Sequence, residues 1–429
     1  LNSNFISFPV KEYEKTKQQV LTWVNRFSTC CFLDNHRYQS GHHTYECIAA
    51  AGAINSISLA AGSALSQLQL FQQAHPGWLF GHLSYDLKNE IEALRSGNPD
   101  NTGFPDLFFF VPETILLLKD DELCISAKDR RTSDEIFNTI NGITEGEQQT
   151  AIQQVAFQPR LSKQAYIEKI EQLRWHILRG DCYEVNFCQE FFAEKVQVDP
   201  VRVYRMLSKI SPSPFAAFYK IGERYLLCAS PERYLKKQGD TIISQPIKGT
   251  GKRDMANAAY DTANREDLYN SAKDRSENVM VVDLVRNDLS RICREGTVRV
   301  DELFGIYSFP QVHQMISTIS GTLEPGLSFA DIIKKTFPMG SMTGAPKKKV
   351  MELIEQYETS KRGIFSGAVG YIKPDGDFDF NVVIRSILYN AASRYLSYLV
   401  GSGITFYSKA EEEYEECLLK AEAIKKVFE

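Results

Sequence analysis

Two long runs of β-forming residues, YIKPDGDFDFNVVIRSILYN (371–390) and YLSYLVGSGITFYS (395–408), stand almost end to end near the C-terminus. Both are rich in Tyr, Phe, Val and Ile, and Pro374, Asp375 and Gly376 supply a turn within the first. With so little chain between them they read as consecutive antiparallel strands, since a parallel return needs a crossover of a dozen or more residues. Further strands read at 215–221 (FAAFYKI), 225–230 (YLLCAS) and 241–247, and helical patterns at 255–290 and 328–358. Strands and helices come in blocks rather than strict alternation, which favours an α+β fold over a doubly wound sheet.

Helical spacing also links Tyr166, Ile170, Leu173 and Ile177, with Ser162 placed to cap that helix and Gly180 to end it. A last helix is expected from Ser408, where Ser408 and Glu411 have capping-box spacing. Residues 1–150 alternate short apolar runs with Gly, Asn and Pro and read as an N-terminal supporting region. The polar stretch 141–158 reads as a linker or surface loop, and the region 160–429 carries the chemistry.

With 43% hydrophobic residues in 429, the chain can bury a large core. A net charge of −5 with scattered lysines and arginines gives no nucleic-acid footprint. No apolar run reaches the ~18 residues of a membrane span. The opening LNSNFISFPVKEYEK does not resemble a signal peptide, so a cytoplasmic location is expected. Nine cysteines without a CxxC are expected to be reduced, buried thiols. There is no HExxH, no GxGxxG and no Walker lysine motif, which removes zinc, dinucleotide and nucleotide sites from consideration.

The chemistry concentrates elsewhere. In TIISQPIKGT (241–250) Lys248 ends a strand, with Pro246 limiting pairing and Gly249 freeing the backbone. A buried strand-end lysine loses hydration, its pKa falls, and its amine becomes a nucleophile near neutral pH; a solvated strand-end lysine has the same sequence. Asp274 and Glu277, and again Glu413, Glu416 and Lys420, share helix faces through spacings of three and four. Acids facing each other from two helices suit Mg²⁺, although spacing alone does not bring the helices together. Arg385 offers a planar fork for a carboxylate or a surface ion pair. The glycines of Gly401-Ser402-Gly403 would let backbone amides approach an anion.

The order of these segments is specific. GDCYEVN (180–186), SPERY (230–234), PIKGT (246–250), SENVMVVDLVRNDLSR (276–291), VHQMIST (312–318), GSMTGAPK (340–347), FSGAVGY (365–371), FNVVIRS (380–386), GSGIT (401–405) and EEYEECLLKA (412–421) resemble the chorismate-binding family. That family includes anthranilate synthase component I, aminodeoxychorismate synthase component I, and isochorismate and salicylate synthases. The resemblance covers about 160–427 closely and the first 150 residues loosely. It implies the chorismate-utilising fold, with large antiparallel sheets packed together and helices outside.

The resemblance also implies roles. Lys248 matches the lysine of members that aminate chorismate to 4-amino-4-deoxychorismate, on the route to p-aminobenzoate and folate. Anthranilate synthases, the competing reading, usually carry Ala there and an LLES-type motif where this chain has CCFLDNHRY. Glu277 and Glu416 match direct Mg²⁺ ligands, with Asp274 and Glu413 behind them. Glu232 matches the acid that protonates the departing 4-hydroxyl, and His313 lies near that hydroxyl in relatives. Gly249, Thr250, Arg385, Gly401, Gly403 and Lys420 match substrate-binding positions. A Gly-x-Cys-x-Gly elbow is absent, so ammonia is expected from a separate glutamine amidotransferase subunit. Two positions depart from the pattern. Glu184 stands where amine-using relatives usually have Gln and water-using relatives Lys, and Phe365 stands where some relatives have Tyr.

Overall fold

The structure, a computed structural model, describes residues 5–38, 42–144, 154–309 and 312–429. Of the linker expected over 141–158, residues 145–153 lie outside the described residues.

Every strand pairing among the described residues is antiparallel. The strands form one hydrogen-bonded network with two arms. The first runs from Leu107–Leu118 through Cys47–Leu59, Thr29–Asp34, Phe215–Ile221, Arg224–Ser230, Ser386–Asn390 and Tyr395–Ile404 to Glu184–Ala193. The second leaves Leu107–Leu118 through Leu79–Leu83 and continues by Ala368–Ile372, Phe378–Asn381, Arg233–Gln238 and Thr241–Gln245 to Val312–Thr322. The register of the Cys47–Leu59 and Leu107–Leu118 ribbon shifts between Ala53 and Asn55. A bulge of this kind bends a ribbon and lets it serve both arms.

Side-chain alternation explains the layering. Cys31, Ala50, Leu226 and Cys228 of the first arm share a core with Phe80, Ile242, Tyr371 and Phe380 of the second. Their neighbours Cys30, Ala49, Leu227 and Ala229 point the other way and join Val20, Tyr166, Tyr204 and Ile424 of the outer helices. The adjacent cysteines therefore serve opposite faces of one strand. Both faces of the first arm are dry, and each fully buried Leu or Phe adds about 1.5–3 kcal/mol. The expected α+β fold of packed antiparallel sheets with helices outside is the one observed.

Local expectations fare unevenly. Ser162 caps the helix Lys163–Leu178 by accepting from the Ala165 amide at 3.2 Å, and Gly180 follows with φ +86°. The expected capping box at Ser408 does not form. Ser408 Oγ accepts from the Thr405 amide at 3.0 Å, and the last helix, Ala410–Lys425, starts after Lys409 instead. A real capping box joins Ser328 and Asp331. Strands from 1–150 pair with strands from 160–429, through Thr29–Asp34 on Phe215–Ile221 and Leu79–Leu83 on Ala368–Ile372.

Candidate active site

Lys248 sits where the chain leaves one strand, Thr241–Gln245, and begins another, Ile247–Lys252. The pairing with Val312–Thr322 slips between Ile247 and Thr250, and Gly249 turns with φ +96°. A side chain at 249 would place its Cβ 3.0 Å from that of Asp274, so glycine is required there for both φ and space. The slip releases Lys248 from the ladder, and its Nζ meets the Glu184 carboxylate in a buried ion pair. Gly403 makes room for this pair, since a Cβ there would lie 2.6 Å from both Lys248 Nζ and Glu184 Oε1.

The charge of Lys248 is opposite to the sequence expectation. Burial does push its pKa down, but Glu184, Glu277 and Glu416 outweigh burial and leave the ammonium well above the ordinary lysine value. The resting lysine is a cation, because a buried site rich in carboxylates favours the charged form.

Glu232 lies in the SPERY turn, where its amide donates to Ser230 Oγ at 3.2 Å. Burial raises its carboxyl to about 7, against the pull of Lys248 and Arg385. A carboxylic acid in that range is half protonated at neutral pH and suited to donate a proton. Arg385 has φ +50° and is pushed down to about 10 by burial, with Glu232 as the charge that opposes the fall. Among the described residues no hydrogen bond or ion pair engages its guanidinium. A part-buried fork with no hydrogen bond of its own, beside Glu232, is suited to hold a carboxylate.

The two acidic helices do face each other. Ser271 caps Ala272–Ser290 by accepting from the Asp274 amide. Lys273 Nζ then lies 3.9 Å from Glu277 of its own helix and 3.7 Å from Glu413 of Ala410–Lys425. Glu277 Oε1 and Glu413 Oε2 are buried without a hydrogen-bond partner. Burial raises Glu277 to about 7, whereas Lys420, 2.8 Å away, holds Glu416 below the usual carboxylate range. Unsatisfied carboxylate oxygens from two helices, bridged by a lysine cation, suit a hydrated divalent ion. No group of three or more ligand-type side chains is gathered into a cage among the described residues. A divalent ion held between the two carboxylates would therefore take its remaining ligands from water and substrate, as Mg²⁺ does.

The other expected residues divide. Lys420 also donates to the Gly401 carbonyl at 3.1 Å. Gly401 is committed to the sheet opposite Cys188, and a Cβ there would meet the Phe187 carbonyl oxygen at 2.0 Å. Thr250 is exposed beside Gly249. Both ring nitrogens of His313 are engaged, with Ser308 Oγ at 2.9 Å and Asp261 Oδ1 at 3.1 Å, so neither bond runs to Glu232 or Lys248. Phe365 is buried in the apolar core.

Sequence reading missed Lys273, although its i,i+4 spacing to Glu277 was visible. It also missed Arg362, which donates to the carbonyls of Met342 (2.6 Å) and Asn186 (2.7 Å) and to Glu358. Glu358 in turn accepts from the Cys188 amide, so this buried pair ties the 340–347 loop to the strand bearing Glu184.

A profile of chorismate binding enzymes matches residues 29–426. The chain belongs to the chorismate binding enzyme family. An aminodeoxychorismate synthase component 1 of Klebsiella aerogenes is 34% identical over 366 residues, spanning 84% of this chain and 80% of the relative. An anthranilate synthase component 1 of Thermus thermophilus is 33% identical over 365 residues, spanning 82% and 78%. The crystal structure of anthranilate synthase component I from Streptococcus pneumoniae aligns with a TM-score of 0.78 at 26% identity, over 91% of this chain and 95% of that one.

Proposed function

We propose that this family member aminates chorismate with ammonia to give 4-amino-4-deoxychorismate. The observation that carries the reading is Lys248 itself. Identities of 34% and 33% to the two kinds of relative do not separate them. A lysine paired with Glu184 and within the field of the acidic helices does, because anthranilate-type relatives usually have alanine at that position.

Chorismate carries two carboxylates and a poor leaving group. Arg385 and Lys420 offer cations for the carboxylates. Mg²⁺ bound through Glu277 and Glu416, with Asp274 and Glu413 behind water, would supply positive charge at the ring carboxylate. Glu232 protonates the 4-hydroxyl so that it leaves as water. Lys248 Nζ adds at C2 as the ring double bonds shift and the C4–O bond breaks. Ammonia then adds at C4, the double bonds shift back, and the lysine leaves as an amine. Two displacements thus replace one. His313, held by Asp261 and Ser308, anchors the wall of the site.

The likeness to a component 1 enzyme supports a partner subunit that hydrolyses glutamine and passes on ammonia. All nine cysteines are buried and unpaired, and no helix among the described residues is long and apolar enough to cross a membrane. Free thiols support a reducing compartment such as the cytoplasm.

The test is product analysis. The purified chain, given chorismate, Mg²⁺ and an ammonium salt, is expected to form 4-amino-4-deoxychorismate, and with glutamine alone to form nothing. Anthranilate as the product would overturn the reading.

A further inference from the structure

We propose that Glu184 is the proton acceptor that converts the Lys248 ammonium into the attacking amine. This deepens the functional reading above and rests on it. A protonated lysine cannot add to a ring carbon, and the resting Lys248 is protonated. A group within reach must take one proton before attack and return it when the lysine leaves.

The geometry selects Glu184. Its Oε1 is in direct contact with Lys248 Nζ, and the two side chains are 2% and 11% exposed. Its Oε2 is buried with no hydrogen-bond partner, so the carboxyl gains a proton without giving up another bond. The backbone is fixed on both sides, with Ala345 opposite Glu184 on one edge and Gly403 opposite Asn186 on the other. Glycine at 403 keeps the approach open.

The other charged groups have other commitments. Glu277 and Glu416, from the two acidic helices, act on Lys248 through their charge. Glu277 lies within reach of Lys273, and Glu416 is paired with Lys420. Asp274 packs against Gly249, and Glu413 lies near Lys273. Glu232 must itself deliver a proton to the departing hydroxyl, so it cannot also be the acceptor.

The proton count balances. Glu184 takes one proton from the ammonium, and the neutral amine forms the Nζ–C2 bond while Glu232 gives its proton to the leaving hydroxyl. When ammonia has added at C4, Nζ leaves with the electrons of the C2–N bond and recovers its proton from Glu184, and the new C4 ammonium returns a proton to Glu232.

A counter-ion that merely holds Lys248 would behave differently from a base. Internal transfer makes the reactive amine independent of pH, because the proton stays within the pair. In Glu184→Gln the proton must go to solvent, so the amine fraction rises about tenfold per pH unit below the lysine pKa. The test is single-turnover formation of the Lys248 adduct, with chorismate and Mg²⁺ saturating and ammonia withheld, read by mass spectrometry per bound chorismate. Normalising to bound chorismate removes any loss of folded protein. The ratio of parent to Glu184→Gln rate cancels the Glu232 dependence common to both. That ratio is expected to exceed about tenfold near pH 7 and to fall about tenfold per pH unit above it. Glu184→Asp, which keeps a carboxylate, is expected to retain the parent's pH profile at a lower rate. A constant ratio, a Gln variant faster than the parent near pH 7, or an Asp profile matching that of Gln would each overturn the proton-acceptor role. A parent enzyme that makes no 4-amino-4-deoxychorismate from ammonia would instead overturn the functional reading and this inference with it.

Discussion

Lys273 Nζ lies 3.7 Å from Glu413 Oε1, so a lysine of one acidic helix reaches a buried carboxylate of the other. The contact shows that Ala272–Ser290 and Ala410–Lys425 face each other across a space lined by acids. It also places a positive charge where a divalent cation would balance the same carboxylates.

Glu277→Gln and Glu416→Gln are each expected to weaken Mg²⁺ and chorismate binding together, by about tenfold or more, or ~1.4 kcal/mol. Titration calorimetry with each ligand checks this, and unchanged affinities would remove both residues from the metal site. Stability should move the other way for Glu277. Its folded value, about 7, lies above the ordinary 4.5, so the native state binds more protons between the two. Stability of the metal-free parent therefore falls as pH rises through that window. Metal-free Glu277→Gln should melt higher than the parent near pH 8, with the difference smaller near pH 4.5.

Glu232 must be protonated to act, and its value of about 7 puts the change within the working range. Parent activity is expected to fall as pH rises through about 7. Glu232→Gln should lose that limb and lower kcat by about 100-fold or more, the usual contribution of a general acid. Chorismate affinity should change little. A variant that keeps the falling limb would assign it to another group.

Arg385 is part-buried, with no hydrogen bond or ion pair at its guanidinium among the described residues and the charge of Glu232 acting on it, so its removal should affect binding more than folding. Arg385→Lys keeps the charge but loses the fork, and is expected to raise the chorismate Kd by about tenfold or more, in line with 1.5–3 kcal/mol for a charged hydrogen bond. The ligand-free melting temperature should change little in Arg385→Ala, because the desolvation of its guanidinium offsets its interaction with Glu232. A large fall in stability would mean that Arg385 has a structural partner.

The two glycines of 401–403 should separate fold from chemistry. A Cβ at 401 collides with backbone, the Phe187 carbonyl oxygen, and Gly401→Ala should lower the melting temperature, overpacking costing about 1–3 kcal/mol. The nearest atoms to a Cβ at 403 are the ends of the Lys248 and Glu184 side chains, which can move. Gly403→Ala is expected to keep its melting temperature and lose about tenfold or more in kcat, because displaced reacting groups are costly. Equal effects of the two changes in both assays would refute the distinction.

The chain's own sequence determined what depends on near neighbours. β-Branched and aromatic runs marked the strands at 215–221 and 241–247, the latter ending in the structure at Gln245, Ser162 marked a helix start, and spacings of three placed Asp274 with Glu277 and Glu413 with Glu416. The ordered motifs carried the family, its fold and the location of Lys248. Tertiary structure decided how those pieces meet. Whether the acidic helices face each other depends on packing across well over a hundred residues of intervening chain. Ser408 had the residues of a cap, yet its hydroxyl went to the Thr405 amide. The partners of His313, Asp261 and Ser308, were likewise set by packing. The charge of Lys248 turned most completely on tertiary structure. Burial alone lowers a lysine's pKa, and only the approach of Glu184, Glu277 and Glu416 reverses the sign. Coulomb energy depends on separation and on the surrounding dielectric, and a linear sequence contains neither.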